Sequence, residues 1–305
     1  MTPSLATRRA LAAPSPQMLT GFAALLGAAL AMSISPTLVR LSDVGPFASA
    51  FWRVALALPL LWAWMRAAET PAARAAAARF TLPTILAGFS FAGDLFFWHL
   101  AARHTTIANA TFFATTAPIW VVVFGWLLLG QRVERAVLAG LALCIGGGAA
   151  LVVQSFAFDP GRLPGDAFGI VTGIFFGLYF LAVRAARGRA SAARVTFELT
   201  LVTAVVLGGV AFAFEPRILP HSPSGWPILA ALAFVSHSAG QGLLSVALGR
   251  LPAAFSSLVI FLEAVAAAVF AWIVLGEPVT PVQAVGGLVI VAGIWIARPR
   301  ERTAE

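Results

Sequence analysis

Val123-Phe124-x-Trp126-x-x-Leu129-Gly130-x-x-Val133 and Val269-Phe270-x-Trp272-x-x-Leu275-Gly276-x-x-Val279 are one pattern written twice, 146 positions apart. The same ungapped offset lays Ala101 and Ala108 on Ala247 and Ala254, and Gly140 and Gly147 on Gly286 and Gly293. Aliphatic matches carry little weight in a chain so rich in Ala, Val and Leu. The paired Phe, Trp and Gly positions carry the inference. Each copy, Ala101–Gly147 and its image, reads as an apolar helix, a tight glycine turn and a second apolar helix. A duplicated helical hairpin is the frame of the molecule.

Sixty per cent of the residues are apolar, ten per cent are charged, and the mean hydropathy is +0.92, far from a water-soluble domain. Apolar runs of 18 or more recur along the whole chain. A helix needs about 20 such residues to cross ~30 Å of hydrocarbon. Backbone polar groups cannot be left bare in lipid, so the runs must be helices. The lone Cys144 excludes an intrachain disulfide and reads as a packing residue. All 20 basic residues are arginine, which suggests a GC-rich bacterial genome.

Outward from the repeat, the pattern predicts an all-α polytopic membrane protein of ten transmembrane helices. Their approximate spans are 18–39, 46–66, 80–102, 105–129 and 135–153, then 166–184, 193–214, 225–248, 252–275 and 280–297. Arg8-Arg9 precedes the first run, which is too long for a cleaved signal and reads as a permanent span. Pro36 should kink that span near Ser33 and Ser35. A turn-rich link, Gln154–Gly165, separates the repeats, taken as residues 1–154 and 155–305.

Parity gives the topology. Spans four and nine are five crossings apart, so the two five-helix repeats are inverted, and ten spans put both termini on one side. That side holds fifteen arginines; the other holds only Arg40, Arg103, Arg162 and Arg217, with Arg53 inside span two. Positive charge stays cytoplasmic, which predicts a multi-pass protein of the bacterial inner membrane with both termini inside. The net charge of +8 then reflects topology and anionic membrane lipid, and no nucleic-acid partner is expected. Inverted repeats are the signature of alternating access, with a substrate site near the midplane. No phosphate loop, zinc spacing or nucleophile elbow is present, so neither a cofactor nor an enzymatic role is expected.

Pro118 followed by Trp126-Leu127-Leu128-Leu129-Gly130, and Trp272-Ile273-Val274-Leu275-Gly276-Glu277-Pro278, resemble the drug/metabolite transporter superfamily of EamA type. Gly140, Gly147, Gly286 and Gly293 match that family's glycines, and Arg53 in Phe51-Trp52-Arg53 resembles its span-two arginine. The chain departs from the pattern at Gln131, where the family prefers the acid kept as Glu277, and at Ala264, opposite Pro118. In build it is similar to the aromatic amino-acid exporters. The resemblance implies ten helices in two inverted repeats and a small-molecule cargo.

A charge at the bilayer centre costs at least ~2.5–3.5 kcal/mol on insertion scales, so each intramembrane polar residue needs a reason. Glu263, halfway along span nine, is either a proton-titrating or cation-contacting carboxylate or a buried acid bonded to a neighbouring helix. Asp94, sharing a face with Phe91 and Trp98, either lines a cavity or pairs with Arg53 or His99. His237, Gln241 and Ser245 form a polar stripe on span eight that must face protein or water. Thr172, Phe176 and Tyr179 make an aromatic stripe suited to an amphipathic ligand or to ordinary packing. Asn109 and Thr116 face the same way on span four. Glu198 beside Arg194 reads as a rim salt bridge.

The expected substrate-binding set is Ser33, Asp94, Trp98, Asn109, Phe176, Tyr179, His237, Gln241 and Glu263, on spans one, three, four, six, eight and nine. The implied function is secondary transport of small amphipathic metabolites, amino acids including aromatic ones or hydrophobic cations, with possible proton coupling. A nucleotide-sugar or phosphate-metabolite antiporter of this fold is the nearest alternative, but only Arg53 is a basic residue well within a span. An intramembrane enzyme or scramblase would need Asp94, His99 and Glu263 gathered at one reaction centre.

Overall fold

The computed structural model describes residues 15–105, 107–152, 160–276 and 279–299. Arg8-Arg9, the expected repeat boundary at 154/155, Glu277-Pro278, Arg300 and Arg302 lie outside them. The described residues form helices α1 (Pro16–Leu41), α2 (Pro46–Ala68), α3 (Leu82–His104), and α4 (Ile107–Ala114 continued by Ala117–Leu129). There follow α5 (Arg135–Val152), α6 (Leu163–Arg187), α7 (Ala192–Phe214) and α8 (Gly225–Leu248). Last come α9 (Ala253–Ser257 continued by Val259–Leu275) and α10 (Pro281–Ala297). Nine are long and apolar enough to span a membrane; α10 has 17 residues, about 26 Å at 1.5 Å each, and is the tenth apolar helix. Trp126, Leu128, Val205, Phe212, Ile273 and Leu288 lie on the outside, more than half exposed, as lipid contact requires.

Several helices break where proline removes a backbone donor. α1 is interrupted at Ile34 ahead of Pro36, and α2 at Leu56 and Ala57 ahead of Pro59. α4 is interrupted at Thr115 and Thr116 ahead of Pro118; both hydroxyls donate back to Phe112 and Phe113 carbonyls. α9 breaks at Leu258 with no proline. α8 widens to a π-helix over Leu232–Gln241, where Ser238 donates to the Ala233 carbonyl five residues back.

The duplication is visible in the backbone and in the packing. Gly130 and Gly276, images under the 146-residue offset, both sit in the left-handed region (φ 61° and 70°) that glycine tolerates at a helix end. α5 and α10 meet through their glycines. A Cβ on Gly140 would lie 2.4 Å from the Gly293 oxygen, and one on Gly147 would lie 2.6 Å from the Gly286 oxygen. Only glycine permits that approach. Exchanging each residue for its image turns the first contact into the second, which is how a two-fold interface behaves. Gly140 meets Gly293 while Gly147 meets Gly286, so the helices run antiparallel and the axis lies across them, in the membrane plane. Two self-paired images straddle it: the Cys144 thiol contacts the Ile290 carbonyl at 3.7 Å, and the Phe91 and His237 rings pack at 5.5 Å.

The loops separate into two faces. On the Glu69 face, Glu69 binds the guanidinium of Arg194 and the Ser191 hydroxyl, while Glu198 pairs with Arg194 at 3.3 Å and accepts the Phe80 N–H at 2.9 Å. On the opposite, Asp43 face, Asp43 accepts the Ser222 N–H and hydroxyl, each at 2.9 Å. There too, Glu215 accepts the Phe47 N–H at 2.6 Å at the start of α2. Glu215 is the image of Glu69, so the same carboxylate position closes the start of α7 on one face and of α2 on the other.

Candidate functional site

A cavity of about 130 Å³ opens between the two repeats. Its walls come from the ends of α1, α2, α3 and α9 that lead to the Asp43 face: Ser35, Arg53, Asp94, Trp98, His99 and Glu263 among them. Helix breaks expose these groups. The interruption at Ile34 sets Ser35 against the cavity, and the Thr115 turn brings α4 to the same wall. Toward the Glu69 face the floor is packed shut. Phe91, Tyr179 and His237 are each at most 1% exposed; Phe91 sits 5.1 Å from the Tyr179 ring, and Phe176 stacks on Tyr179 at 5.9 Å.

Arg53 is the organising charge. Its two terminal nitrogens donate to Ser35 on α1 at 3.0 Å and Ser236 on α8 at 3.1 Å. One residue thus ties α2 to a helix of each repeat. A guanidinium carries five N–H donors, so three remain, the Nε–H without a partner. Asp94 and Glu263 face the same space and interact with Arg53 electrostatically, yet no ion pair within 4 Å joins them among the described residues. One guanidinium and two carboxyl groups therefore line a small cavity whose other walls include Phe91, Leu95, Trp98, Phe176 and Ile260. Polar groups kept apart in this way can each meet a complementary polar group on a guest.

Of the nine residues expected from the sequence, Asp94, Trp98, Phe176, Gln241 and Glu263 come together around the cavity. The other four do not line it. Ser33 donates to its own helix at the Leu30 carbonyl, 2.7 Å away, beside the helix interruption at Ile34. Asn109 donates to Asp166 at 3.0 Å, and Thr105 joins at 2.7 Å, a knot tying the starts of α4 and α6 on the Asp43 face. Tyr179 lies beneath the cavity and donates to Gln241 at 2.7 Å, whose amide meets the Met32 sulfur at 3.3 Å. His237 is buried behind Phe91 and bonds Thr200 at 2.9 Å. Asp94 makes no ion pair with His99, whose Nδ1 meets the Leu95 carbonyl at 2.6 Å. The sequence reading also left span two out of the lining, and Arg53 with it. The signal was there: an arginine within a span, with no acid one helical turn away.

Charges outside the spans hold the two faces. The Arg194 guanidinium holds the Glu69 carboxyl below its usual range, and the Ser222 hydroxyl does the same for Asp43.

Against known proteins, the model of the EamA-like transporter family matches residues 19–153 and again 163–298. The pseudopaline exporter CntI of Pseudomonas aeruginosa is 26% identical over 82% of this chain and 86% of its own. A probable terminal-alkyne amino-acid exporter of Streptantibioticus cattleyicolor is 28% identical over 65% of this chain and 66% of its own. A crystal structure sharing 22% identity superposes with a TM-score of 0.77 over 93% of this chain and 99% of its own, a likeness of fold.

Proposed function

The chain belongs to the EamA-like transporter family, and from that premise we propose that it exports small amphipathic zwitterions, amino acids first among them, by alternating access. The observation that carries the reading is the cavity itself: Arg53 opposite Asp94 and Glu263, all unpaired with one another, among aromatic and aliphatic walls. The free donors of Arg53 take the cargo's carboxylate. Asp94 and Glu263 take its ammonium, and Trp98, Phe176 and Ile260 cover an aromatic or branched side chain. At about 130 Å³ the space falls below the ~300–1,000 Å³ of drug-sized pockets, which favours a cargo of amino-acid size. Two carboxylates against one guanidinium oppose a phosphate cargo, and the exporter names of the relatives agree with the transport reading.

In this reading residues 1–154 and 155–305 are the two moving repeats. The Glu69 face, with its excess of arginine, lies in the cytoplasm of a bacterial inner membrane, and both termini lie there with it. The cargo enters from that face and leaves through the Asp43 face.

Proteoliposomes loaded with radiolabelled phenylalanine, leucine or alanine test it by counterflow. Exchange that requires the protein is expected, fastest for a large apolar side chain. Glu263→Gln separates two roles: if the carboxylate carries a proton, uphill movement driven by a pH gradient stops; if it only meets the ammonium, affinity falls and downhill exchange continues. Failure of every amino acid to exchange under any gradient overturns the proposal.

A further inference from the structure

A second pocket lies on the Glu69 face, at the opposite end of the molecule from the cavity, with a volume of about 660 Å³. It sits between α2 and α7, roofed by the segment that runs from Pro71 to Phe80. Arg66, Arg74 and Arg79 ring its upper part; Trp62, Phe197 and Leu201 form its lower wall. Arg66 stands over the Trp62 ring at 5.4 Å, and Arg74 donates to the Arg66 carbonyl at 2.7 Å. Among the described residues no carboxylate pairs with any of these three guanidiniums. The two nearby acids are already engaged: Arg194 holds both Glu69 and Glu198, leaving Arg74 within the field of Glu69 but out of contact. Three like charges lining one pocket with no carboxylate paired to them suit an anion.

We infer that this pocket binds the headgroup of an anionic phospholipid. The charged part supplies planar donors that suit a phosphodiester. The lower wall decides for a lipid over a soluble phosphate. It is apolar, and one turn beyond Leu201 on α7 the surface continues to Val205, which is 70% exposed on the lipid-facing side. Trp62, half exposed, stands at the level where interfacial aromatics meet headgroups. A phosphate among the arginines therefore places its acyl chains along that flank. Arg194 and Glu198, which join α7 to Glu69 and to the start of α3, line the same pocket, so an occupant touches the contacts that close this face.

The test uses the purified, delipidated full-length protein and native mass spectrometry with phosphatidylglycerol or phosphatidylcholine. Phosphatidylglycerol should be retained over phosphatidylcholine, and 0.5 M salt should erase the preference. The triple variant Arg66→Gln/Arg74→Gln/Arg79→Gln should lose it by roughly five-fold per arginine, above a hundred-fold in all. Arg103→Gln, on the other face, should keep it. Equal retention of both lipids, a preference that survives high salt, or an equal loss in Arg103→Gln overturns the inference. So does full displacement by millimolar inorganic phosphate or glycerol 3-phosphate, which marks a soluble-anion site. The salt arm needs only the wild-type protein and can overturn the inference even if the triple variant does not fold.

Discussion

Replacing Arg53 with glutamine removes one charge from the cavity and should change which molecules the site can tell apart. In the structure the guanidinium spends two of its five donors on Ser35 and Ser236, leaving the rest for a cargo carboxylate. Truncating one member of a buried, hydrogen-bonded charge pair costs about 2–5 kcal/mol, so affinity for an amino acid should fall by roughly 30- to 5,000-fold. The two serine bonds are lost as well, at roughly 1.5–3 kcal/mol each for bonds to a charged group, which lowers stability whatever the cargo. A fall in affinity alone therefore cannot separate recognition from damage. A cycle over protein and cargo does: wild type and Arg53→Gln, each measured with phenylalanine and with phenethylamine, its decarboxylated analogue. Wild type should prefer the amino acid strongly, and the variant should bind the two alike. Arg53→Lys should fall between, since a compact ammonium cannot hold both serines and a bidentate carboxylate together. If Arg53→Gln weakens both ligands by the same factor, the guanidinium is a brace between α1, α2 and α8 and the zwitterion reading fails.

Two further outcomes follow from the packing. Gly147→Val places a Cβ 2.6 Å from the Gly286 oxygen and should cost about 1–3 kcal/mol as α5 and α10 part; Gly146→Val, with open space around it, should leave the melting temperature in detergent unchanged. Equal melting of the two variants would mean the α5–α10 glycines do not set that distance. Glu69→Gln removes a carboxylate whose pKa Arg194 depresses, and whose stabilising contribution is therefore present above the ordinary carboxylate range and lost as pH falls through the depressed value. Wild type should be more stable than Glu69→Gln at pH 7, by roughly 1 kcal/mol because Glu198 still pairs with Arg194, and the gap should shrink on acidification. A gap independent of pH would remove the ion pair from the account.

What the sequence disclosed, and what it hid, has a physical pattern. The helices and the break ahead of Pro36 were legible because each follows from a local rule, apolar length or a missing proline donor; the break at Leu258 and the π-helix of α8, which have no proline, were not. Glu198 with Arg194 was legible because four residues on a helix make neighbours. Asp94 and Glu263 stood out as charges in apolar runs. Ser33 and Ser35 could not be told apart, because which of them faces the cavity depends on how sharply the helix breaks at Ile34. Asn109 could not be excluded, because its partner, Asp166, belongs to the other repeat and is adjacent only after folding. His237 and Tyr179 were read correctly as facing protein and incorrectly as facing the cavity. Helical spacing gives the direction of a side chain, but not the depth at which a neighbouring ring such as Phe91 closes over it.

The repeat itself also explains why the site lies off its own symmetry axis. Under the 146-residue offset, Arg53, Asp94 and Glu263 map onto Leu199, Gly240 and Ala117, all buried in the packed half toward the Glu69 face. The three ionisable groups of the site have no copies. The two closures differ in the same manner. Glu198 and Phe80, joined on the Glu69 face by a hydrogen bond to a carboxylate engaged with Arg194, map onto Trp52 and Trp226, whose rings pack at 5.1 Å on the Asp43 face. An exchange of conformations between identical repeats would give two states of equal energy. At these two positions one face carries a carboxylate engaged by arginine and the other an aromatic contact, although Asp43 and Glu215 also bind on the Asp43 face. In the proposed mechanism, salt weakens the Arg194 pairs of the Glu69 face without touching the Trp52–Trp226 contact, and the Asp43 face, once those rings separate, presents no charge at those positions to hold the departing zwitterion.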